Sequence, residues 1–65
     1  MSAYGDLEKR LRAVLDDLDD LAFEQLREAV ADGATSRPAS ERELTKARRS
    51  VEKAASILGR LAAGE

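Results

Sequence analysis

The chain has 65 residues, a formal net charge of −2, no Cys, no His and two aromatic residues, Tyr4 and Phe23. That composition excludes disulfides and thiolate metal sites, makes ordinary zinc or di-iron ligation unfavourable, and leaves an aliphatic core as the means of folding. No segment approaches a membrane span or a signal-peptide core. The expectation is therefore a soluble, cytoplasmic, cofactor-free protein, and Ala-, Arg-, Asp- and Leu-rich usage without Asn fits a high-GC bacterial source.

The first element is a helix over about residues 4–32, capped at Asp6 or a turn earlier at Ser2. Leu7, Leu11, Val14, Leu15, Leu18, Leu21, Ala22, Leu26, Ala29 and Val30 recur at spacings of three and four, which puts one apolar stripe along one face. Gly33 is the first Gly or Pro to follow, and it suits the left-handed residue just past a helix end. Residues 33–39 read as a loop, with Pro38 disfavouring helix at Arg37.

The second helix is expected over about 40–63. Ser40 with Glu43 forms a capping-box pattern, and Ala39 with Leu44 a weak hydrophobic staple. Leu44, Ala47, Val51, Ala54, Ala55, Leu58, Leu61 and Ala62 share a face. Gly59 interrupts it at a cost of about 1 kcal/mol relative to Ala, which nearness to the helix end or a close contact would explain.

Two long helices joined by a short loop pack as an antiparallel hairpin, so the fold class is all-α. Setting Ala29–Val30 level with Leu44 places Leu26 against Ala47, Leu21–Ala22 against Val51, Leu18 against Ala54, Val14–Leu15 against Leu58 and Leu11 against Leu61. Folding a compact 7.1 kDa chain buries roughly 6,000 Å². With about half of that apolar, the gain is on the order of 75–80 kcal/mol. Ordering about 50 residues costs a similar amount. A lone hairpin is thus marginal, and dimerisation into an antiparallel four-helix bundle is the expected remedy.

Three groups of residues bear on function. Phe23 and Val30 lie off the main stripe of helix one and join it through Leu26, so this end offers the widest uncovered apolar surface. With Leu15 and the off-stripe Ile57, these three are the expected partner or dimer interface. Asp17, Asp20, Glu24 and Glu28 form an acidic face. Paired carboxylates serve acid–base or metal chemistry when a pocket perturbs them, but these look exposed, so a solvated or partner-facing role is the better reading. Arg42, Lys46, Arg49, Lys53 and Arg60 form a basic stripe on helix two, with Arg48 on its flank.

Residues 1–36 carry four basic and nine acidic side chains, net −5; residues 37–65 carry seven and four, net +3. The two charged stripes stand at similar heights. They can attract along the hairpin flank or pair across a dimer and fix its register. No phosphate loop, nucleophile–base set or metal-ligand spacing is present. The sequence therefore points to a non-enzymatic protein–protein interaction module, self-pairing and serving a larger client. A small nucleic-acid regulator using the basic stripe is the alternative, weakened by the acidic companion helix and the lack of interleaved aromatics.

Overall fold

A computed structural model describes residues 2–33 and 39–64. Two helices, α1 (Ala3–Ala31) and α2 (Ala39–Ala63), pack against each other as an all-α hairpin. Ser2 caps α1. Its backbone is extended, and its Oγ accepts a hydrogen bond from the Gly5 amide at 3.2 Å, satisfying one of the orphan donors of the first turn. Asp6 lies inside that turn, where its charge favours the positive end of the helix dipole. The other end closes as the sequence indicates. Gly33 has φ +81°, and its amide donates to the Val30 carbonyl at 3.0 Å.

α2 begins one residue before Ser40, so Ser40 is inside the helix rather than capping it. Its hydroxyl donates to Gln25 Oε1 of α1 at 2.9 Å, and Glu43 accepts from Lys46 at 3.3 Å instead of reaching back to the helix start. The loop over 34–38, the Pro38 effect on Arg37 and the Ala39–Leu44 staple lie outside the described residues.

Burial follows a seven-residue pattern along most of the hairpin. On α1 Glu8, Leu11, Leu15, Leu18, Ala22, Gln25 and Ala29 are half-buried or buried in the seam; on α2 Glu41, Leu44, Arg48, Val51, Ala55, Leu58 and Ala62 mark the facing seam, and Gly5, Ala54, Ser56 and Gly59 beside it are also half-buried. This is the repeat of a two-stranded coiled coil. Four of those fourteen seam positions are polar, and among the described residues only Leu15, at 7% exposure, and Ala55, at 0%, are buried.

The register differs from the expected one. A methyl placed on Gly5 would touch Ala62, one on Gly59 would meet the Glu8 carboxylate at 2.8 Å, and Asp19 pairs with Arg48. Together with Gln25–Ser40, these contacts set Leu15 level with Val51 and Leu18 level with Arg48. That is about six residues, or roughly 9 Å, from the alignment anchored on the loop. The reason is overlap. The expected alignment would have left Tyr4 and Leu7 beyond the end of α2. The observed one brings the terminal ends flush and lets the longer α1 overhang the start of α2 by about four residues. The Gly59 contact also explains that glycine: Glu8, held by Arg12 at 2.9 Å, occupies the space a side chain would need.

The result is thin. The Cα radius of gyration is 15.2 Å and the extents are 51 × 16 × 10 Å, against a radius of about 11 Å for a compact domain of this length.

Candidate partner-binding surfaces

The two flanks of the hairpin differ in chemistry, and the interhelical contacts identify them. On one flank, Arg48 donates through Nε to Asp19 Oδ1 at 2.6 Å and through Nη1 to Glu52 at 2.8 Å. The Asp19 hydrogen bond, then its charge, raises the Arg48 pKa above its ordinary value. Arg48 has the only ion pair that joins α1 to α2 among the described residues. Sequence reasoning had left it beside the basic stripe. Its seven-residue spacing with Glu41, Ala55 and Ala62 was the available signal that it occupies the seam.

Phe23, Leu26 and Val30 stand four, seven and eleven residues from Asp19, which keeps them on that same flank. They line a shallow concavity of about 440 Å³ with Arg27 and Ala31, all from α1. Phe23 is 65% and Val30 67% exposed. Val30 lies in the overhang, where no described residue of α2 stands opposite it, whereas Phe23 is level with Glu43 and is exposed because it sits next to the seam residue Ala22 but outside the seam.

The rest of the expected interface set separates. Leu15 is spent inside the hairpin, in its own core. Ile57 lies two residues from Gly59, hence on the opposite flank, and near the other end of the molecule from Phe23. It does not extend the Phe23 surface within one hairpin.

That opposite flank carries an apolar strip the sequence reading had merged with the seam. Leu7, Val14 and Leu21 recur every seven residues on α1, each more than 40% exposed, and Leu61 and Ile57 are exposed on α2. Ala47 and Ala54 continue the Leu61 row at the same spacing. The period was visible in the sequence. What was not visible is that these residues point beside the hairpin seam rather than into it.

The charged stripes lie on the outer faces, and all nine residues are exposed. Asp17, Asp20, Glu24 and Glu28 are on α1, and Arg42, Lys46, Arg49, Lys53 and Arg60 on α2. Among the described residues Lys46 alone of these makes an ion pair, with Glu43 of its own helix. Among the described residues no ion pair joins one stripe to the other, and the Asp19–Arg48 pair is the one that crosses between the helices. No group of three acidic side chains among the described residues forms a metal-holding cluster, and no described helix is long and apolar enough to cross a membrane.

The fold and its surfaces define an antiparallel two-helix coiled-coil hairpin with one long apolar flank and one aromatic patch. The chain matches no protein-family model, no curated protein and no solved structure.

Proposed function

We propose that this chain is a non-enzymatic protein–protein interaction module that works as a homodimer, two hairpins forming an antiparallel four-helix bundle. One observation carries the reading. Two side chains are buried while nine large apolar ones are exposed, from Tyr4 to Leu61, among the described residues. The exposed area is 5131 Å², against about 4,100 Å² for a compact chain of the same mass. If each copy covered that excess of roughly 1,000 Å², the interface would total about 2,000 Å², the size of a stable specific one.

The Phe23–Leu26–Val30 patch then serves a client. It stands on the other flank from the long apolar strip, toward the C-terminal end of α1, so a dimer through the strip leaves it open. An aromatic residue flanked by aliphatic ones is the usual composition of a binding anchor. In this reading the module is an adaptor, assembly factor or regulator of a larger protein.

Sedimentation equilibrium at micromolar concentration tests the first part: a dimer is expected, and a folded monomer overturns it. Phe23→Ala tests the second. Self-association and helicity should be unchanged, and loss of self-association would move the patch into the dimer interface.

A further inference from the structure

The outward face of α2 carries one sign of charge. Arg42, Lys46, Arg49, Lys53 and Arg60 follow one another at intervals of four, three, four and seven residues. At 3.6 residues per turn these spacings keep all five within an arc of about 60°, and at 1.5 Å per residue the row is about 27 Å long. The arc lies opposite the seam residues Leu44, Val51 and Leu58, and its five cations are exposed. The nearest acidic side chains, Glu43 and Glu52, border the arc and already pair with Lys46 and Arg48. Arg42, Arg49, Lys53 and Arg60 have no ion pair among the described residues. Like charges three and four residues apart on a helix repel, and no described acidic side chain relieves these four. We infer that the row binds the phosphate backbone of a nucleic acid, independently of base sequence. This goes beyond the homodimer and client readings, since neither the apolar strip nor the Phe23 patch includes any of the five.

The acidic companion helix is the obstacle that the sequence raises, and the fold removes it. Asp17, Asp20 and Glu24 point outward from α1, on the far side of the hairpin from the basic row. The Cα trace is 16 Å wide in its second dimension, the one that spans both helices, and outward side chains add to that. The separation exceeds the Debye length of about 10 Å at 0.1 M salt. An approaching anion therefore meets the local field of the row rather than the chain's net charge of −2.

Three anionic surfaces compete for such a row. A membrane-surface helix inserts a broad apolar face beside its charges, whereas the apolar face of α2 is turned into the seam against α1. An acidic protein segment offers carboxylates at fixed intervals and fits in one register. Each strand of a duplex carries a phosphate every 3.4 Å of axis, about eight over the length of the row, so every cation finds one in any register. No aromatic side chain lies on the arc to stack on bases, and no Asn or Gln to pair with adenine. That composition leaves backbone contact as the mode of binding.

Fluorescence anisotropy of the intact chain with two labelled 20-base-pair duplexes of unrelated sequence, titrated from 20 to 200 mM salt, tests this. Both duplexes should bind alike, and log K should fall against log salt with a slope of about −4 per bound chain, one unit for each unpaired cation of the row. Arg49→Ser/Lys53→Ser should reduce the slope to about −2 and weaken binding at least tenfold at 50 mM salt, with helicity unchanged by circular dichroism. Asp20→Ser/Glu24→Ser, on the opposite face, should change binding at 0.1 M salt by less than about threefold. No binding of either duplex at 20 mM salt overturns the proposal, as does binding that Arg49→Ser/Lys53→Ser leaves unchanged. Tighter binding to phosphatidylserine vesicles than to the duplexes overturns it in favour of a membrane surface, and tighter binding to poly-glutamate in favour of an acidic protein. None of these results bears on sedimentation of the chain alone, so the homodimer reading stands or falls separately.

Discussion

Two glycines of the same residue type have opposite consequences. Gly33 holds φ +81° in open space, so a side chain there meets no neighbour but strains the backbone. Gly33→Ala should cost about 1 kcal/mol in chemical denaturation. Gly59 is helical, and the obstacle to a methyl is the far end of the flexible Glu8 side chain. Ala gains about 1 kcal/mol of helix propensity. Displacing Glu8 from Arg12 gives back about 0.3–0.5 kcal/mol, as for other surface pairs in one helix. Gly59→Ala should therefore stabilise by about 0.5 kcal/mol, and destabilisation in the same assay would show that the half-buried Glu8 is fixed more firmly than a surface pair. The raised Arg48 pKa has a defined pH consequence. A base whose pKa rises on folding contributes fully below its unfolded value and loses the contribution only above it. The Arg48 side of the pair thus leaves stability flat through neutral and mildly alkaline pH.

At the scale of the elements, α1 does two jobs with its two ends. One face builds the seam, and the flank of its C-terminal third, running into the overhang, carries the aromatic patch. Leu15 is inside the seam, so Leu15→Ala should cost about 2–3 kcal/mol and visibly reduce helicity by circular dichroism. Phe23→Ala should change folding stability by less than about 0.5 kcal/mol, as an exposed substitution does. Equal losses from the two would mean that Phe23 is covered in the folded unit. The helices themselves were legible in the sequence, because spacings of three and four, the Gly33 stop and the charged outer faces all agree. Their relative height was not. Loop length only bounds it, whereas the alignment follows from the overlap available to two helices of unequal length.

The whole molecule is a rod too thin for a dry interior, with an apolar flank along most of its length. Stability should consequently depend on concentration. The thermal midpoint is expected to rise measurably over a hundredfold increase in chain concentration, as mass action requires when folding and association are linked. A constant midpoint would mean that the hairpin is self-sufficient.

The sequence alone determined the helical periods, the stop at Gly33, the acid–base division between the halves and the scarcity of core, since these depend on local spacing and composition. Tertiary structure decided which apolar residues are used up. Leu11, Leu15 and Leu18 lie in the hairpin seam, while Leu7, Val14 and Leu21, in the same stripe of the sequence, are turned beside it. A helix face is continuous, and only the position of the neighbouring helix divides it. That division leaves a second apolar row beside the seam, and it separates Phe23 from Ile57, which sequence reasoning had joined.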